Sequence, residues 1–144
     1  MYRRILITLA VLTTTVATSL TFSSPAMASG SRPASCNTAS LCFYNNANFG
    51  DGPGKVTGRN NDLGAFSHAS CPNDTWSNCM SSVWNATSKC FHLYDATGAA
   101  GGVGTYHNLG PNDGYLNLGT EAAYNDKVSS VKPNPSGSGS CSFS

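Results

Sequence analysis

The chain has 144 residues, of which 40% are hydrophobic and only 10% charged, with a formal net charge of +1. No basic stripe exists that could hold a phosphate backbone, which excludes nucleic-acid binding. Sparse charge combined with 15 glycines and seven prolines points to short strands joined by many tight turns.

Residues 1–28 read as a signal peptide. Arg3 and Arg4 give the positive start, Ile5 to Val16 the apolar run, and Ala26-Met27-Ala28 a small-x-small cleavage site. A membrane span is the competing reading. The run is short for that, is diluted by Thr13, Thr14 and Thr15, and meets a cleavage-type site where a stop-transfer charge cluster would stand. A secreted, extracellular product with no membrane contact after cleavage is therefore expected. Removing the signal leaves 116 residues (144 − 28), enough for one small domain with a single core.

All six cysteines lie beyond the signal, and an even count in a small exported domain implies disulfides. Fifteen pairings are possible. The preferred set is Cys36 with Cys42 and Cys71 with Cys79, which close short local loops, and Cys90 with Cys141, which ties down the tail. Zinc is the weaker reading, because no CxxC pair or HExxH is present and His68, His92 and His107 are scattered among turn residues.

Along the exported chain, residues 29–35 form a polar leader expected to be disordered. Leu41-Cys42-Phe43-Tyr44 is a β-prone run ending in the turn formers Asn45 to Gly54. Lys55-Val56-Thr57 is a second strand, and Cys71 to Ser77 a braced loop carrying Trp76. The order then repeats. Cys90 to Tyr94 alternates, Asp95 to Gly104 supplies a glycine-rich hairpin, and Thr105-Tyr106-His107 returns. Tyr115-Leu116-Asn117-Leu118 alternates again, and helical periodicity is absent beyond a single turn. Residues 133–144 form a Pro/Gly/Ser-rich tail that delivers Cys141.

The two halves share a polar loop that runs into a strand: Tyr124-Asn125-Asp126-Lys127-Val128-Ser129-Ser130, and its imperfect echo Ser77-Asn78-Cys79-Met80-Ser81-Ser82. Ser82 and Ser130 lie 48 residues apart (130 − 82). Two such halves with no crossover helix predict two four-stranded Greek keys packed as an all-β, disulfide-stabilised sandwich over 36–132, with motifs at about 40–86 and 88–132. The expected core is Phe43, Leu63, Phe66, Trp84, Phe91, Leu93, Leu116, Leu118 and Val131. Trp76 is read as a candidate surface anchor.

These residues resemble a βγ-crystallin-type domain, whose Greek keys carry an aromatic, four residues, a second aromatic, one residue and then a glycine. Tyr44 and Phe49 match, with Asp51 in the glycine's place. In the second copy Tyr94 and Gly101 match, with Ala99 for the second aromatic. The family's polar loop motif matches fully at Asn125 to Ser130 and partly at Asn78, Ser81 and Ser82. Within that fold the signal, the early cysteine, the Cys-Phe-Tyr start and the late closing cysteine are similar to the streptomycete secreted metallopeptidase inhibitors.

The resemblance implies a secreted inhibitor of a thermolysin-like extracellular metallopeptidase, monomeric, requiring no cofactor and holding its target by a rigid loop. The candidate inhibitory segment is Lys89, Cys90, Phe91, His92 and Leu93, because thermolysin-like peptidases prefer a large apolar residue just after the scissile bond. The competing reading makes Phe91 an inward-facing strand residue. The fold resemblance also implies calcium on the oxygens of Asn78, Ser81, Asn125, Asp126 and Ser129, against a reading in which they hydrogen-bond the turns. A calcium-binding structural or envelope module and a small secreted toxin are the alternative functions. Catalysis is disfavoured. The six Asp and one Glu are scattered, and cysteines paired in an exported chain are not nucleophiles.

Overall fold

A computed structural model describes residues 30–37, 39–98, 104–134 and 141. Among the described residues the seven strands are β1 (Leu41–Tyr44), β2 (Gly54–Val56), β3 (Ser82–Asn85), β4 (Phe91–Tyr94), β5 (Tyr106–Leu109), β6 (Asp113–Tyr115) and β7 (Ser130–Pro133), with one short α-helix, α1 (Leu118–Glu121), and three 3-10 turns. They form a four-stranded sheet ordered β2-β1-β3-β6 and a three-stranded sheet ordered β5-β4-β7, every pairing antiparallel.

Each sheet is completed by the other half of the chain. The strand β6 belongs to the second repeat yet pairs with β3 of the first. In return Asn60 of the first repeat bridges Val131 of β7 through two hydrogen bonds of 2.9 and 2.8 Å. The exchange follows from the repeat. Two similar halves, each with one apolar sheet face to cover, bury most area when they trade a strand and pack face to face.

Alternation along each strand sorts the side chains. Leu41, Phe43, Val83, Phe91, Leu93 and Val131 point into the sandwich and are fully buried, joined there by Leu63, Leu118 and Val128. Outside the first sheet a second cluster forms. There the hairpin after β1 folds back so that Phe49 packs on Tyr44 at 5.3 Å and edge-on to Trp84 at 6.0 Å, over the Cys36–Cys42 disulfide. Ser82 pins this fold-back, donating to Asn46 O at 2.6 Å and accepting from Phe49 N at 3.0 Å. Ser130 repeats it by donating to Ala96 O at 2.7 Å. Asp51, in the place of the family's glycine, takes the left-handed conformation itself with φ 50°.

Glycine is needed where backbones close in. A Cβ on Gly114 would stand 2.5 Å from the Trp84 ring, and one on Gly54 would run into the Phe43 ring. The three disulfides pair Cys36 with Cys42, Cys71 with Cys79 and Cys90 with Cys141, and no free cysteine remains among the described residues.

Several expectations are corrected. Of the leader 29–35, read as disordered, the described residues 30–35 make defined contacts: Arg32 Nε donates to Cys36 O at 2.6 Å, and the Ser35 hydroxyl meets Tyr44 OH at 2.9 Å. Phe66, assigned to the core, is 39% exposed, and Leu116 is only half-buried. Trp76, read as a surface anchor, is 4% exposed and packs edge-on to Phe43 at 4.9 Å. Tyr115 to Leu118 is not one strand: β6 ends at Tyr115, and Asn117 caps α1 by accepting from Gly119 N and Thr120 N. The signal peptide, Ala99, Gly101 and most of the tail lie outside the described residues.

Candidate functional site

The segment Lys89–Leu93 does not form an exposed loop. Phe91 and Leu93 are 0% exposed on β4, the central strand of its sheet, and Cys90 is buried. His92, on the outer face, stacks on Tyr106 at 4.4 Å, and its imidazole is pushed below the ordinary value by burial, then by Lys132. Only Lys89 is exposed. Phe91 therefore cannot enter a subsite of another protein. The strand alternation that makes Cys90-Phe91-His92-Leu93 legible as β also turns Phe91 inward.

The two polar loops come together across a local pseudo-twofold axis. Asn78 N donates to Val128 O at 3.0 Å, and its counterpart Asp126 N donates to Met80 O at 3.1 Å; both residues are left-handed, with φ 56° and 52°. The side chains cross in the same way. Ser129 Oγ donates to Asn78 Oδ1 at 2.9 Å, and Ser81 Oγ to Asp126 Oδ1 at 3.4 Å. Four of the five candidate ligands thus fall into two pairs, and Ser129 faces Asn78 instead of joining Asp126. Asn125 spends its amide on the Asp126 carboxylate. Calcium takes six to eight oxygens and favours carboxylates. The Ser81–Asp126 pair includes a charged oxygen, and the Asn78–Ser129 pair has none.

The symmetry extends one step upstream, and there it breaks. Leu63 N donates to Ser129 O and Leu118 N to Ser81 O, each at 2.8 Å, and each leucine follows a capping residue, Asp62 or Asn117, whose side chain accepts from the glycine two residues on. Each half then returns to its polar loop through a buried aromatic, Trp76 or Tyr124, two residues before Asn78 or Asp126. From Leu118 to Tyr124 is six residues (124 − 118), whereas from Leu63 to Trp76 is thirteen (76 − 63). The first half therefore carries seven additional residues.

The additional length is taken up in a braced loop, Phe66–Trp76. Trp76 N donates to Phe66 O and His68 N to Asp74 O, closing a short two-stranded neck with a bridge between Ser67 and Thr75. Within the tip Cys71 N donates to His68 O and Asp74 N to Cys71 O, both at 3.0 Å. The Cys71–Cys79 disulfide ties the tip to the polar loop, and Trp76 roots the neck in the core. The His68 ring lies flat on Trp76 at 4.2 Å, and its Nε2 stands 3.3 Å from the Asp51 carboxylate. Asn45 Nδ2 reaches both Asp51 Oδ2 at 3.1 Å and Ser70 O at 3.2 Å. Asp51 is held below the usual carboxylate range by the Asn45 hydrogen bond first, then by Ser70, with His68 adding. Tip residues 69, 70 and 72–74 remain exposed. Hydrogen bonds, a disulfide, an aromatic root and a neighbouring hairpin thus fix an exposed backbone, the condition for docking at low entropic cost.

The pattern of peptidase inhibitor family I36 matches residues 30–106, which is 77 of 144 positions. The chain belongs to this family. Its function is accordingly peptidase inhibition, and it is not an enzyme. The matched span contains the whole braced loop and all of the first repeat. Among solved structures, the family I36 chain is similar to a βγ-crystallin from Ciona intestinalis (21% identity, TM-score 0.53, covering 66% of this chain and 99% of that one). A βγ-crystallin from an archaeon matches at 21% identity and TM-score 0.52, covering 68% and 100% of the two chains. A third structure, described as bearing on the evolution of the eye lens βγ-crystallin domain fold, matches at 23% and 0.54, covering 74% and 91%. These likenesses establish the βγ-crystallin fold. The comparison with curated proteins gives no match.

Proposed function

We propose that this family I36 protein is a secreted, monomeric inhibitor of an extracellular metallopeptidase of the thermolysin type, and that it lodges the Phe66–Trp76 loop in the target's cleft. The observation that carries the loop assignment is the seven-residue asymmetry between the two halves, spent entirely on a braced exposed tip. Support for the metallopeptidase class comes from cysteine placement and the export signal, which are similar to those of the streptomycete metallopeptidase inhibitors. Three disulfides also suit an oxidising, extracellular setting.

The test is a panel of thermolysin, a serine peptidase and a cysteine peptidase, run with the parent and with a variant in which Gly119–Ala123 replaces Gly64–Thr75 and Cys79 becomes Ala. The second half shows that the shorter connection closes the same frame, so the variant is expected to fold and to lose inhibition. A parent active only on serine or cysteine peptidases overturns the target class. A folded short-loop variant as potent as the parent overturns the loop.

A second reading rests on the Ser81–Asp126 pair, which offers calcium one carboxylate and one hydroxyl at the exposed side of the polar loops. Calcium at this pair would raise the melting temperature through preferential binding to the folded state, and Asp126→Ala would abolish the increase. A melting temperature constant from micromolar to millimolar calcium refutes it.

A further inference from the structure

Beside the root of the braced loop lies an open cleft, bounded by residues 55–60 on one side and the exposed ring of Phe66 on the other. Its wall is the free edge of a sheet, since β2 is the terminal strand in the order β2-β1-β3-β6. The hydrogen bonds around β1 show which groups that edge presents. Ser40 O accepts from Ala86 N and Tyr44 O from Ser81 N, each at 2.9 Å, so even-numbered residues of β1 turn toward β3. Asn45 N donates to Asp51 O, so odd-numbered ones turn toward β2. With Leu41 opposite Val56 and Phe43 opposite Gly54, the ladder is made by Gly54 and Val56. The N–H and C=O of Lys55 therefore point out of the sheet into the cleft.

The charges of the cleft are of one sign. Lys55 and Arg59 line it and are exposed, no carboxylate lines it, and Asn61 accepts from Arg59 Nε at 2.7 Å, which fixes the guanidinium. Phe66 offers an aromatic surface opposite.

We propose that this edge is a second contact, at which an extended segment of the target peptidase adds as a strand beside β2. A peptide C=O accepts from Lys55 N–H and the paired N–H donates to Lys55 C=O, an acidic side chain faces Lys55 and Arg59, and an apolar one lies on Phe66. The proposal rests on the inhibitor reading and deepens it, because Phe66 joins cleft and loop in one continuous surface. Edge pairing with a second copy of this chain is the competing occupant. It would bring Lys55 and Arg59 against their own copies, the like-charge contact that edge lysines commonly prevent.

The experiment uses thermolysin as the probe and follows amide exchange by NMR in the free protein and in the inhibited complex. Gly54 and Val56 amides are expected to be protected in both states, and Lys55 N–H only in the complex. Lys55→Gln tests the charge, and Lys55→Pro also deletes the outward N–H without touching the β1–β2 ladder. Each lost hydrogen bond or ion pair should weaken inhibition about 3- to 10-fold, so Lys55→Pro should exceed Lys55→Gln by about that factor. A Lys55 amide exchanging equally fast in both states overturns the proposal, as does a folded Lys55→Pro with the parent's potency or a free protein that sediments as an edge-paired dimer. A parent that inhibits normally with Lys55 unprotected removes this edge alone. A parent that inhibits nothing in the panel removes the inhibitor reading with it.

Discussion

Deleting disulfides one at a time should separate stability from inhibition, because the bridge that matters most for folding is not the one at the loop. The Cys71–Cys79 bridge spans a sequence separation of 8 and Cys90–Cys141 one of 51. On the chain-entropy relation, these closures contribute about 2.5 and about 4 kcal/mol respectively. Urea unfolding should therefore rank the Cys90→Ala/Cys141→Ala variant as the less stable. Inhibition should rank them the other way. Cys141 Sγ lies beside Gly110 and Cys90 O accepts from Asn134 N, contacts outside the loop, so the folded fraction of that variant should keep its potency. Without Cys71–Cys79 the tip keeps its neck bonds but regains freedom around residues 70–73, and re-ordering one residue on docking costs about 1–2 kcal/mol, or about 5- to 30-fold in the inhibition constant. Inhibition constants of both variants, measured against thermolysin below their unfolding midpoints, are the readout. If the Cys90/Cys141 variant loses potency while the Cys71/Cys79 variant keeps it, the braced loop is not the inhibitory element.

Gly54→Ala should destabilise the fold by about 1–3 kcal/mol, measured by thermal melting, because the new Cβ meets a fully buried Phe43 ring that also packs edge-on against Trp76. Asp51 has a depressed carboxyl, so its contribution is present above the unfolded value of about 3.9 and lost as pH falls through its lower folded value; Asp51→Asn should flatten that part of the acid limb of the stability curve. His92 and His107 are both pushed down by burial first, with Lys132 and Lys127 adding. Their neutral forms suit the folded state, so stability is full above about pH 6.5 and is lost as pH falls through the folded values. His107→Asn should reduce the slope of the urea midpoint against pH in that window.

How much of this could be read from the residues follows from what repeats and at what spacing. The polar loops recur 48 residues apart (130 − 82), and the alternation around Phe43 and Phe91 is clean, so the fold and the loop pair were legible. The three pairings were legible for a different reason, because two of them close short local loops and the third ties down the tail. Phe66 and Trp76 were exchanged, one assigned to the core and found outside, the other the reverse. The signal that could have prevented this is in the spacing. Leu63 and Leu118, each after an Asp or Asn and before a glycine, are 55 apart (118 − 63), whereas Trp76 and Tyr124 are 48 apart (124 − 76). The mismatch locates an insertion after Leu63 and makes Trp76 the counterpart of a core tyrosine. Phe91 was ambiguous for a physical reason: a period of two says that one face is buried, and a residue beside a cysteine can belong to either face.

The insertion also explains why one frame can hold a rigid exposed loop at so little cost to itself. The return to the polar loop is made in both halves by the same three devices: a capped leucine turn bonded to the opposite serine carbonyl, a buried aromatic, and a left-handed Asn or Asp whose N–H crosses the axis. None of these involves residues 66–75, so the frame closes whether or not the loop is present, as the second half demonstrates with Leu118 to Tyr124. The loop is then free to vary in its tip residues while its two ends stay fixed by Leu63 and Trp76. Tip substitutions at Ala69 or Pro72 that keep the neck bonds should accordingly change which peptidase is bound while leaving the melting temperature nearly unmoved. Substitutions at Leu63 or Trp76 should do the opposite, costing about 2–5 kcal/mol and weakening binding to every target alike.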